Sequence, residues 1–122
     1  MDLHIDKSDD AGFAELISDE IIIKETQDAL DLMMSARYSE ADYLLVKRHQ
    51  IIPGFFDLKT RIAGDILQKF STYGAFLAII GDFSNEKSQS LKDFMMESNK
   101  HGRIIFVESI DKAKAVFLER KR

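Results

Sequence analysis

Ile62-Ala63-Gly64-Asp65-Ile66-Leu67-Gln68-Lys69-Phe70-Ser71-Thr72-Tyr73-Gly74-Ala75-Phe76-Leu77-Ala78-Ile79-Ile80 holds a complete helix-to-strand unit. Ile62, Ala63, Ile66, Leu67 and Phe70 recur at spacings of three and four, which is one apolar stripe of a helix, while Arg61, Asp65, Gln68 and Lys69 face away. Gly74 is placed to end that helix, because glycine enters the left-handed region without a steric penalty. Ala75 to Ile80 then runs apolar without a break, the pattern of a strand buried on both faces. A helix feeding such a strand is the repeating unit of an α/β fold with a parallel sheet.

The same unit recurs on either side. Downstream, Gly81-Asp82-Phe83-Ser84-Asn85 turns into a helix carrying Leu91, Phe94, Met95 and Ser98 and closed by His101-Gly102. Arg103 to Val107 is the next strand, and Ile110, Ala113, Val116 and Phe117 mark a last helix. Upstream, Asp42 to Val46 is a strand and His49, Ile51, Ile52, Pro53 and Gly54 form a loop. Before it a helix starts at Thr26, the expected N-cap, and runs through Ala29, Leu30, Met33 and Arg37. Phe13 to Ser18, Ile21-Ile22-Ile23 and the weaker alternation of Leu3 and Ile5 are read as one or two N-terminal hairpin strands, since the polar gaps between them are too short for a helix. Ser98-Asn99, near a helix end, reads as capping, and Met33-Met34 and Met95-Met96 read as fillers of core gaps.

The 122 residues suit one domain spanning 1–122, large enough to bury a core without disulfides or metal. The absence of cysteine excludes disulfides and thiolate chemistry and fits a reducing cytoplasm. Met1-Asp2-Leu3-His4-Ile5-Asp6 lacks the blocks of a secretory signal, and no apolar run approaches roughly twenty residues, so a soluble chain with no membrane partner is expected. Seventeen Lys and Arg against twenty-one Asp and Glu give a net charge of −4 with the signs interspersed, which argues against nucleic acid as a partner. The one basic run, Arg120-Lys121-Arg122, reads as cations at a helix C-terminus. His4, His49 and His101 have no ligand-like spacing, and no nucleophile elbow or phosphate loop occurs, so neither a catalytic set nor a cofactor or resident metal is assigned.

Polar groups gather in Phe55-Phe56-Asp57-Leu58-Lys59-Thr60-Arg61-Ile62-Ala63-Gly64, read as the junction between an apolar strand signal and a helix start. Lys59, Thr60 and Arg61 would lie in a first helical turn and could receive a phosphate or carboxylate; as cations there they oppose the helix dipole by roughly 0.3–1 kcal/mol unless paired with Asp57 or Asp65. Phe55 and Phe56 are core residues or a protruding patch. Asp57 and Asp82 are expected at the carboxyl ends of neighbouring parallel strands, the edge where open sheets bind ligands. There they could hold a Mg²⁺ ion or an anionic ligand, or supply a base of raised pKa; equally, Asp57 could cap the helix and Asp82 form a turn.

The element order resembles the STAS domain, the fold of bacterial anti-sigma-factor antagonists, over nearly the whole chain. The resemblance implies a mixed, mostly parallel sheet of about four or five strands with an N-terminal hairpin and about four helices. It also implies a non-catalytic regulatory role in protein binding. In that family an apolar residue and an Asp precede a phosphorylatable hydroxyl at the helix start. Phe56 and Asp57 match, Thr60 supplies the hydroxyl after one extra residue, and Arg61 stands where the family has a small residue. The blocks Asp28 to Leu32, Phe55 to Thr60, Ala63 to Phe70, Gly81 to Ser84 and Glu97 to Lys100 are in addition similar to an uncharacterised bacterial family of unknown function, DUF4180, which implies no mechanism. The expectation is a cytoplasmic interaction domain whose partner is another protein. The alternatives are a small enzyme or ligand-binding protein using Asp57 and Asp82, and a homodimeric scaffold joined through the N-terminal edge strand or a helix face.

Overall fold

The computed structural model describes residues 2–121. The strands β1 (Asp2–Ser8) and β2 (Ala11–Ile17) precede α1 (Thr26–Tyr38), β3 (Tyr43–Lys47), α2 (Ile62–Tyr73), β4 (Phe76–Ile80), α3 (Gln89–His101), β5 (Ile104–Val107) and α4 (Ile110–Lys121). The strands form one sheet in the order β1-β2-β3-β4-β5, antiparallel between β1 and β2 and parallel thereafter. The α/β class and the mixed, mostly parallel sheet follow the expectation.

Each parallel strand lies beside the one before it, so right-handed crossovers place the connecting helices on one face. Ala29, Leu32 and Met33 of α1, Ile66 and Phe70 of α2 and Leu91 and Met95 of α3 bury that face, packing on Leu16, Leu44, Val46, Leu77, Ile79 and Ile104. The opposite face is left to α4, whose Ala113 and Phe117 cover Phe13, Tyr43, Leu45, Ala78 and Ile105. Coverage on both sides is why Ala75 to Ile80 shows no polar alternation. Tyr43 sits between Phe13, Phe76 and Phe117, with ring centroids 5.2, 4.9 and 4.8 Å away, and burial pushes its hydroxyl pKa up, with Asp42 adding to the shift.

The hairpin turns at Asp9 and Asp10, both at positive φ (50° and 65°), as a two-residue turn matched to the strand twist requires. Leu3 and Ile5 thus belong to a full strand. The run Ile21 to Ile23, expected as a strand, makes only a single parallel bridge between Ile23 and Ile51. The reason lies in Gln50, which is buried: its side-chain amide donates to the carbonyls of Leu16 and Ser18 (3.0 and 2.9 Å), and its backbone carbonyl accepts the N–H groups of Ile22 and Ile23. Chain 18–23 is thereby held against residues 50–52, which follow β3, instead of forming a strand of its own. Gly12 is required by a close approach, since a Cβ there would collide with the Glu40 carbonyl and lie 2.8 Å from Ala41 Cα.

Several local expectations are corrected. The N-cap of α1 is Glu25, not Thr26; the Asp28 carboxylate reaches back to accept the N–H groups of Lys24 and Glu25 (2.9 and 3.2 Å). Met33 and Met95 are core residues, whereas Met34 and Met96 are exposed. Ser98 and Asn99 do not cap α3. Ser98 Oγ donates to the Ile104 carbonyl at 2.5 Å, and the Asn99 amide accepts from the N–H of Phe106 (2.7 Å) and donates to its C=O (3.3 Å). The two side chains satisfy the outer edge of β5 as a sixth strand would. Of the basic C-terminal run, Lys121 Nζ donates to the Asp10 carbonyl (2.7 Å) and Arg120 packs over Gly102, while Arg122 lies outside the described residues. No helix among the described residues is long and apolar enough to cross a membrane.

Candidate functional site

The carboxyl edge of the parallel strands is roofed by the β3–α2 and β4–α3 connections. Residues 48–61 do not continue a strand into a helix, as Phe55 to Gly64 suggested. They form three 3₁₀ turns, Arg48–Gln50, Pro53–Phe56 and Leu58–Thr60. Pro53 opens the second turn with its fixed φ. Phe55 drops into the core at 1% exposure, and Phe56 lies half-buried with its ring edge-on to Phe55, centroids 4.9 Å apart.

Arg48, which carries no motif, is the hub of this roof. Its guanidinium lies 4.5 Å from the Phe56 ring centroid and 5.0 Å from that of Phe83, donates to the Asp82 carbonyl (3.2 Å) and pairs with the Glu86 carboxylate. Gly81 makes room for it, since a Cβ there would stand 2.9 Å from Arg48 Cβ. Phe83 continues edge-on to Phe106 of β5 (5.5 Å), so two connections and the last strand share one aromatic and cationic cluster. The only sequence signal for this hub was Arg48 next to a Phe-rich loop, and periodicity does not read such a signal.

The two aspartates occupy different positions. Asp82 follows β4 directly, and its Oδ1 accepts the N–H (3.0 Å) and the hydroxyl (2.6 Å) of Ser84, bonds that hold its pKa below the usual carboxylate value. That is the turn-forming role, and the lowered pKa is opposite in direction to a carboxylate poised as a base. Asp57 lies beyond the second 3₁₀ turn, not at the end of β3. It caps the third turn, accepting from Lys59 N–H (3.1 Å), and does not cap α2. Among the described residues no three His, Asp or Glu side chains gather as metal ligands.

Lys59, Thr60 and Arg61 precede α2 instead of forming its first turn. Their backbone amides, with that of Ile62, are engaged: Lys59 by Asp57 Oδ1, Thr60 by Asp57 O, Arg61 by Leu58 O and Ile62 by Thr60 Oγ1 (3.3 Å). The Thr60 hydroxyl faces the Gly54 carbonyl at 2.7 Å and that of Asp57 at 2.9 Å, and it pins the third turn against the second. Arg61 is held in the left-handed region at φ 67° and is exposed. Among the described residues neither Lys59 nor Arg61 pairs with an acidic side chain, so the expected bridges to Asp57 or Asp65 do not form.

Two grooves flank the hub. One, of about 630 Å³, runs between Asp82, Phe83 and Ser84 and the face of α4 bearing Lys112, Val116 and Arg120. The other, of about 610 Å³, is lined by Ile21, His49, Ile51, Pro53, Phe56 and Ile80. Asp57 lines neither.

No curated protein matches the chain. No solved structure matches it either. A family model described as a domain of unknown function, DUF4180, matches residues 8–117, and the chain belongs to that family.

Proposed function

We propose that this chain is a non-catalytic, cytoplasmic regulatory domain of STAS-like fold that binds a protein partner through the β3–α2 connection, with Thr60 as a switch. The fold assignment is supported by element order: a hairpin, three repeats of helix and strand, then a last helix. The binding surface is Phe56, Lys59, Thr60 and Arg61, presented on turns that Phe55 and the Arg48 hub keep rigid.

One observation carries the reading. Arg37, Arg48 and Arg103 are each tied to an acidic side chain or a backbone carbonyl of their own chain and Arg120 packs over Gly102, whereas Arg61 and neighbouring Lys59 are exposed and without an ionic partner among the described residues. Arg61 also occupies a backbone region that costs a non-glycine residue about 1 kcal/mol. A cation kept there without an internal use is suited to an external acidic group.

Phosphorylation fits the same geometry. A kinase would transfer the terminal phosphoryl group of a nucleoside triphosphate to Thr60 Oγ1, with loss of the hydroxyl proton. The bonds to the Gly54 and Asp57 carbonyls would then be replaced by repulsion from about −1.5 to −2 charges, with Lys59 and Arg61 at hand to receive the phosphate. The third turn would detach from the second, and the partner surface would change. Intact mass of protein from its own cells, with and without phosphatase, is expected to show a Thr60 phosphoform that Thr60→Val lacks; no such species under any growth condition refutes the switch. Loss of a bound partner on Arg61→Glu is expected, and unchanged recovery refutes the surface.

A further inference from the structure

We infer that β1 is an interface for a second copy of this chain, pairing antiparallel with its counterpart about a two-fold axis at Ile5. This goes beyond the proposed partner surface and is independent of it. The sheet treats its two edges differently. The edge at β5 is a four-residue strand whose outward carbonyl of Ile104 and outward N–H and C=O of Phe106 are taken by Ser98 and Asn99. The edge at β1 is seven residues long, pairs with β2 without a bulge and contains no proline.

The open groups can be placed. In a hairpin closed by a two-residue turn, the flanking residues Ser8 and Ala11 exchange hydrogen bonds, so the even positions of β1 face β2. Leu3, Ile5 and Lys7 therefore aim their N–H and C=O groups away from the sheet. Among the described residues no other segment hydrogen-bonds to them. Such an edge is a template for strand addition.

Side-chain charge selects both the occupant and the register. The even residues Asp2, His4, Asp6 and Ser8 share the face that carries Phe13 and α4, and Leu3, Ile5 and Lys7 share the other. With Ile5 opposite its own copy, each His4 stands across from Asp6 of the other chain, Asp2 across from Ser8, and Leu3 across from the stem of Lys7. A shift of two residues one way sets His4 against His4 and Asp2 against Asp6. A shift the other way sets Asp6 against Asp6, and parallel in-register pairing sets every charge against itself. Of these arrangements only the register at Ile5 sets no two carboxylates and no two imidazoles opposite one another, and like charges directly opposite across strands disfavour pairing. Asp6 already accepts from Lys114 at 2.7 Å, so the ring N–H of His4 in the second copy would bring a second donor to the same carboxylate.

The chain's lack of cysteine makes the register directly readable. Sedimentation equilibrium on the wild type is expected to give a monomer–dimer equilibrium, and His4→Asp, an exposed position, to raise the dissociation constant about tenfold or more with the circular dichroism spectrum unchanged. Under mild oxidation Ile5→Cys is expected to form a disulfide-linked dimer, because bonded antiparallel pairs bring Cα atoms to about 5.5 Å. Lys7→Cys should not, since its copy would lie about 13 Å away along the strands. A wild type that stays monomeric to its solubility limit, a dimer indifferent to His4→Asp, or cross-linking at Lys7→Cys as fast as at Ile5→Cys overturns the inference.

Discussion

Arg48→Ala tests whether one guanidinium holds the roof of the candidate site together. The side chain is about one-third exposed (34%) and Glu86 is 18% exposed, so the ion pair is partly screened and contributes about 1 kcal/mol instead of the larger figure of a dry pair. The two aromatic contacts at 4.5 and 5.0 Å add about 0.5–1 kcal/mol each, and the bond to the Asp82 carbonyl about 0.5–1. Since the same atoms make all of these contacts and the terms do not add fully, the expected loss is about 2–3 kcal/mol. Urea unfolding followed by circular dichroism measures it as a fall in the midpoint at unchanged m. Arg48→Lys should recover less than half, because an ammonium cannot lie flat between two rings. A double-mutant cycle with Glu86→Gln should give a coupling of about 1 kcal/mol. A loss below about 0.5 kcal/mol for Arg48→Ala, or full recovery by lysine, would refute the hub.

Other substitutions probe the remaining devices separately. Asn99→Ala removes both bonds to Phe106 and is expected to cost about 1–3 kcal/mol, with faster hydrogen exchange at the Phe106 amide; an unchanged exchange rate contradicts the edge seal. Arg61→Gly relieves a left-handed residue and is expected to raise stability by about 0.5–1 kcal/mol in thermal melts; a fall in stability would mean that Arg61 has an internal role. Asp6 has its pKa lowered, first by the hydrogen bond from Lys114 and then by that residue's charge. Its stabilising effect is therefore complete above the ordinary aspartate pKa of about 3.9 and is lost as pH falls through the lower folded value. Nuclear magnetic resonance in that acid range should show the contact between β1 and α4 loosening in the wild type, with Lys114→Met removing the dependence; a pH profile identical in Lys114→Met would contradict the assignment.

Much of the fold was legible because it rests on periodicity. The stripe Ile62 to Phe70, the run Ala75 to Ile80 and the glycines at 74 and 102 each report a local requirement, and short right-handed connections then order the strands. The boundaries that failed depended on contacts far apart in sequence. Ile21 to Ile23 reads as a strand until the backbone carbonyl of Gln50 takes the N–H groups of Ile22 and Ile23, and Ser98-Asn99 reads as a cap until β5 is seen beside α3. The candidate site was less legible for the same reason. Asp57, Lys59, Thr60 and Arg61 were found as a cluster, but their separation from the first turn of α2 depends on three 3₁₀ turns, and short 3₁₀ runs leave no period to detect. Arg48 was missed because its partners, Phe56, Phe83 and Glu86, come from two connections that only the sheet brings together.

Charge reversal is the sharpest test of the proposal that Lys59 and Arg61 face outward for an acidic partner. Tagged wild type and the Lys59→Glu, Arg61→Glu double variant would be expressed in the source organism and their bound proteins compared quantitatively, with Lys92→Glu on the exposed face of α3 as the control. The expected result is a partner recovered equally by wild type and control and lost from the double variant, with all three proteins unfolding at closely similar urea concentrations. Equal recovery of that partner by the double variant would contradict it.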